Sequence, residues 1–236
     1  MAPETEQAAR DVLVGRLERW AGQVPGSAAV DTFAVAAALD YRHGGTVDGR
    51  LGLWEPRHVQ AFLLDWAPRT VTVLPGEELP GAPDALRLLL RYLDATGLAD
   101  PRGTALDTLL GAVDDTAAGY PQAMADRTRW GLAKFWTTLA AEQGVDLGSP
   151  AALARFSKRA RQGEIPYDED VLQAIAARHM TEGSPDALRA EPQLPVTLPP
   201  PETLRAEAGR VGLLGMLQGS PHGRAGKAGL SPPPAD

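Results

Sequence analysis

The sequence predicts an all-α protein, an irregular or orthogonal bundle of about eight helices followed by a Pro/Gly-rich disordered C-terminal tail. Apolar residues recur at i, i+3, i+4 and i+7 along five segments, the spacing that lines one side of a helix. Strand-like alternation is nearly absent, and prolines crowd together only after about residue 181. The 236 residues are 44% hydrophobic, enough for a sizeable core. Much of that share is alanine, the best helix former and a small one, which favours closely packed helices over an aromatic-rich β core.

The five full stripes are Val30, Phe33, Ala34 and Ala37; Val59, Phe62, Leu63 and Trp66; Leu86, Leu89, Leu90 and Leu93; Leu106, Leu109, Leu110 and Val113; and Leu132, Phe135, Trp136 and Leu139. A sixth, Leu172, Ile175, Ala176 and His179, sets a histidine in the last apolar place, so His179 is expected to be a buried histidine. Weaker stripes run through Leu13, Leu17 and Trp20 and through Leu153, Phe156 and Ala160. Ser149 ahead of Pro150, and Asp168 ahead of Val171, read as N-caps. Gly22, Gly44, Gly97 and Gly144 fall where left-handed C-terminal caps belong. Thr70–Leu74 alternates like a strand, but prolines bracket it and its one candidate partner is Val196–Leu198; both read as extended connectors. The predicted organisation is a helical domain over 1–180, a Pro-rich linker over 181–201, a short helix over 202–218 around Leu204, Ala208 and Val211, and a disordered tail over 219–236.

Composition excludes several chemistries. There is no cysteine, hence no disulfide, thiolate metal site or cysteine nucleophile. No nucleophile elbow, phosphate loop, zinc pattern or dinucleotide fingerprint is present, so no cofactor is expected. With no apolar leader and no apolar run long enough to cross a bilayer, the expected location is the cytoplasm, with no membrane partner. A net charge of -7 disfavours nucleic acid as a partner unless basic residues are segregated on one face.

Residues 40–69 concentrate two histidines, three aspartates and two tryptophans, and any site is expected there first. Asp40, His43 and Asp48 are candidate metal ligands, since carboxylate and imidazole suit zinc, manganese or iron. The plainer expectation places His43 at a helix C-terminus, Asp48-Gly49 in a turn and Asp40 beside an arginine. His58 and Asp65, seven residues and about 10 Å apart along a helix, are too distant for one metal and read as exposed flanks of their stripe. Trp130, Phe135 and Trp136 read as core, with Lys134 within cation–π reach of Trp130, or else as the floor of a groove. Arg155, Lys158, Arg159 and Arg161 form a basic stripe, a candidate nucleic-acid contact or a face neutralised by the acidic residues at 164–170. The eight carboxylates and three arginines over Glu77–Asp115 read as solubilising helix faces.

The runs DGRLGLW and FLLDWAPRTVTV, within residues 48–73, resemble a stretch of uncharacterised helical proteins of high-GC Gram-positive bacteria, a likeness extending through Trp130 to LPVTLPPPETLRAEA at 194–208. In longer members a similar proline-rich spacer leads to modules resembling winged helices. The resemblance implies a helical fold and carries over no activity, substrate or catalytic residue. The functional expectation is a non-catalytic protein-interaction or adaptor module whose partner is another protein; accessory nucleic-acid binding and a metal-dependent enzyme centred on Asp40, His43 and Asp48 are the alternatives.

Overall fold

The computed structural model describes residues 3–23 and 29–182, with side chains over 8–23 and 29–181. The chain is all-α as expected, with helices α1 (Pro3–Ala21), α2 (Thr32–Gly44), α3 (Pro56–Ala61), α4 (Ala67–Thr70), α5 (Ala82–Ala95), α6 (Leu106–Ala117), α7 (Tyr120–Ala125), α8 (Leu132–Glu142), α9 (Pro150–Arg161) and α10 (Glu169–Glu182). A π turn over Phe62–Trp66 joins α3 to α4 as one continuous run. Each predicted stripe falls on a helix, with Val30 just ahead of α2. The short α7 and the 3₁₀ turn at Arg127–Arg129 had no stripe to announce them. Residues 183–236, with the predicted linker, short helix and tail and the candidate partner Val196–Leu198, lie outside the described residues.

Side chains start the helices as the sequence indicates. Ser149 accepts the Ala152 amide at 3.3 Å, and Asp168 accepts those of Asp170 and Val171 at 3.0 and 3.1 Å. Gly97 and Gly144 adopt the left-handed conformation, with φ of 68° and 69°, whereas Gly22 and Gly44 do not; α2 is instead closed by the Gly45 amide bonding back to the Tyr41 carbonyl. Asp31 does two jobs. One oxygen caps α2 at the Ala34 amide, and the other accepts the Gly81 amide at the head of α5, each at 3.0 Å. Segment 71–81 passes between α4 and α5 as an extended connector with Val71 and Thr72 buried.

The helical region contains two apolar cores. The first gathers Leu17, Leu39, Trp54, Phe62, Leu63, Leu86, Leu89 and Val113 from α1 through α6 and their loops, reaching Tyr120 and Met124 on α7. The second joins Leu132, Phe135 and Trp136 of α8 to Phe156 of α9, Ile165, and Leu172 and Ile175 of α10. Trp136 meets Phe156 and Tyr167 edge-on, so the predicted aromatic crowding on α8 is core packing.

What ties the cores together follows from Pro68. Proline has no amide hydrogen, so the Leu64 carbonyl four residues back loses its helical donor, and the pyrrolidine ring crowds that carbonyl. The chain answers with the π turn, in which the Ala67 amide reaches Phe62, five residues back. The orphaned Leu64 carbonyl accepts Arg129 Nη1 at 2.8 Å. At the end of α4, the Pro68 carbonyl accepts Lys134 Nζ at 2.8 Å and the Arg69 carbonyl accepts the Gly131 amide at 2.9 Å. Residue 131 must be glycine, because a Cβ there would stand 2.8 Å from the Arg69 oxygen.

Asp31→Ala removes a cap and an inter-helix staple together and should cost about 1–2 kcal/mol, with Asp31→Asn retaining part of the loss, read from urea denaturation midpoints.

Candidate functional site

The stretch singled out by its composition folds around a buried arginine. Arg42, in the last turn of α2, is fully buried. Its Nη2 donates to Asp48 Oδ1 at 2.8 Å and to the Arg50 carbonyl at 2.9 Å, while Nε also reaches the Arg50 carbonyl at 3.2 Å. The guanidinium lies 5.7 Å from the Trp54 ring centroid. Asp48 completes the turn by accepting the Arg50 amide at 3.0 Å, and Gly49 takes φ of +61°. The start of loop 45–54 is therefore gathered on one cation, while its end is tied to the segment after α5 by the Asp100 and Thr104 amides, which donate to the Gly52 and Trp54 carbonyls at 2.9 and 3.0 Å.

The environment sets the protonation states. Burial raises the Asp48 carboxyl's pKa, but the Arg50 amide and the Arg42 charge outweigh it and hold the group below the usual carboxylate range. Burial, then Arg42, pushes the His58 imidazole down, so it is neutral at neutral pH. Burial lifts Tyr41 to about 12; its ring packs on Phe62, Trp66 and Trp54 at 5.6, 5.8 and 6.2 Å. His58 is half-buried rather than an exposed flank: Nε2 lies 3.9 Å from Glu55, and Nδ1 has no hydrogen-bond partner. Asp65 pairs with Arg69 on its own helix.

The candidate metal ligands point to different partners. Asp40 bonds Arg10 of α1 at 2.7 Å, Asp48 bonds Arg42, and His43 is exposed at the α2 C-terminus. Among the described residues no three His, Asp or Glu side chains are placed to hold a metal ion. His179 is exposed, contrary to its expected burial, because α10 turns Leu172, Ile175 and Ala176 into the second core and it is Met180, not His179, that packs there at the helix end. On α9, Leu153, Phe156, Ser157 and Ala160 are buried, which leaves Arg155, Lys158, Arg159 and Arg161 on the exposed side. Arg159 meets Glu164 at 3.5 Å and Arg161 Nε donates to the Ser157 carbonyl at 3.2 Å.

Sequence reasoning missed two features. The first is the burial of Lys134, only 3% exposed, with its amine 4.9 Å from the Trp130 ring centroid and Arg127 over the same ring at 5.2 Å. The cation–π contact was foreseeable from the four-residue spacing; the burial was not. The second is an open groove of about 370 Å³ between α1 and α2, lined by Asp11, Val14, Gly15 and Glu18 of α1 and Thr32, Phe33 and Ala36 of α2. A smaller cavity beneath Trp54 holds about 30 Å³, room for a water molecule. No helix among the described residues is long and apolar enough to cross a membrane. Comparison of the chain with family models, curated proteins and solved structures finds no match.

Desolvation lowers the Lys134 amine from 10.5 to about 7. The unfolded chain therefore binds one more proton than the folded one between these values. Stability contributed by this group is depressed below pH 7 and recovers as pH rises toward 10.5. Between pH 7.5 and 9 the chain should gain about 1 kcal/mol per pH unit, and Lys134→Met should abolish that slope in urea titrations.

Proposed function

We propose that this chain is a non-catalytic helical module that binds another protein in the cytoplasm, docking it on the α1/α2 face. The observation that carries this reading is the open groove, where Val14, Phe33 and Ala36 line the same surface as Asp11, Glu18 and Thr32. Gly15 supports it. A Cβ built there meets no atom within 4 Å among the described residues, so none of them calls for glycine in mid-helix, where alanine is favoured. The reacting groups of residues 40–69 are meanwhile engaged in holding the fold: Asp40 on Arg10, Asp48 on Arg42, Asp65 on Arg69. The likeness of residues 48–73 to helical proteins of high-GC Gram-positive bacteria belongs to the same proposal. In native pull-downs with mass analysis, Gly15→Leu should lose the proteins retained by the unaltered chain while melting at the same temperature or higher. Retention of the same set by both, or turnover on a hydrolase or transferase panel that Asp40→Ala abolishes, would overturn the reading.

A second reading, accessory nucleic-acid binding, draws on α9, where Arg155 and Lys158 are exposed and make no ion pair among the described residues. It predicts retention on DNA or RNA that falls with salt and weakens when Arg155 and Arg159 are both changed to alanine; absence of binding at low salt removes it.

A further inference from the structure

We propose that the α1/α2 groove is covered by α1 of a second copy of this chain, the two helices crossing antiparallel about a twofold axis at Gly15. The inference rests on the groove being a protein-binding face, and names what binds there.

Three observations select a second copy. Ala8, Val12, Gly15 and Arg19 fall at spacings of four, three and four, which sets them along one stripe of α1. Of the large apolar side chains left exposed among the described residues, Val12 is the one that lies on a helix, at 54% exposure; Val47, Leu79 and Leu98 are in loops. The stripe runs beside the groove, and Gly15 belongs to both. A crossing at a residue without a side chain lets two backbones approach closely, and the empty space around Gly15 is what such an approach would fill.

Charge then fixes the direction. A twofold crossing at Gly15 sets each residue 15−n of one helix opposite 15+n of the other, so Asp11 of each copy faces Arg19 of the other, and the pair is made twice. A parallel crossing would instead oppose Asp11 to Asp11 and Arg19 to Arg19. Both groups are exposed. The Arg19 Nε is turned back on its own helix, donating to the Gly15 carbonyl at 3.1 Å, and Arg19 meets no carboxylate among the described residues. Asp11 meets Arg10, whose other contact is Asp40. In the same arrangement Val12 of the second copy comes opposite Glu18 and over the groove beside Val14. One helix crossing is small among specific interfaces, so the dimer is weak, with a Kd on the order of 10–100 µM.

The chain has no cysteine, which makes the test direct. Gly15→Cys should form a disulfide-linked dimer under mild oxidation at about 100 µM, while Gly111→Cys on α6, where a Cβ also meets nothing within 4 Å, should not. Sedimentation equilibrium of the full chain should show a dimer that Asp11→Arg or Arg19→Asp each weakens at least tenfold and that the double exchange restores. A chain that stays monomeric at several times that concentration, equal cross-linking of the two cysteine variants, or a dimer insensitive to the charge exchange would overturn the proposal. If the chain is monomeric yet Gly15→Leu still abolishes capture of other proteins, the second copy is wrong and the docking face stands; if capture is also unaffected by Gly15→Leu, both fall.

Discussion

The run Pro56–Thr70 constrains everything else, because one side of it is buried and it is broken near its end. Val59, Phe62, Leu63 and Ala67 are almost wholly shielded from water, and α2, α6, α7 and α8 pack around them. A buried helix can leave no carbonyl unpaired without losing stability comparable to a whole hydrogen bond. Pro68 creates such a carbonyl at Leu64, and the helix end exposes two more. The segment from Arg129 to Lys134 answers all three with a guanidinium, an amine and a backbone amide. The second core is thus seated by hydrogen-bond demand from the first, and its position would be arbitrary if only greasy surface joined them.

Two buried cations show how different the cost of burial can be. Arg42 has a carboxylate, a carbonyl and an aromatic face, and its planar fork serves the first two together. Lys134 has a carbonyl and an aromatic face but, among the described residues, no carboxylate in contact, so desolvation prevails and the amine is half-neutral near pH 7. A helix C-terminus does favour positive charge, which helps explain why an amine is tolerated there. The arginine is a loop organiser; the lysine is a junction whose strength varies with proton activity.

The stripes and caps were legible because each depends on residues within one or two turns of each other. Ser149 and Asp168 announce helix starts by their own side chains, and Leu86 to Leu93 announces its buried face by its spacing. The division into two cores was not legible, since it depends on which stripe meets which. Arg42 and Lys134 were missed for a related reason. Each occupies a position that a single amphipathic helix would turn to water, and each is buried because a second neighbour arrives: loop 45–54 over α2, and α4 over α8. His179 fails in the opposite sense, since at the end of α10 Met180 takes the place against the second core that the spacing assigned to it. The candidate set Asp40, His43 and Asp48 was close in sequence, but a helix end and a turn send Asp40 toward α1 and Asp48 back onto Arg42.

Where the charges lie bears on which faces can meet a partner. Over residues 8–119 acidic side chains outnumber basic ones fifteen to ten, whereas residues 120–181 hold eight basic and seven acidic. Many of these charges are paired with one another, as Arg87 binds both Asp84 and Asp114 and Asp100 takes Arg50 and Arg102. Exposed pairs of this kind add little stability, but they neutralise the surface that bears them. The α1 edge differs, because Asp11 and Arg19 lie eight residues apart on one helix and, among the described residues, Arg19 has only its own backbone. Opposite charges kept apart on one helix cannot satisfy each other along it, and an antiparallel neighbour is the arrangement that lets one such helix complement another.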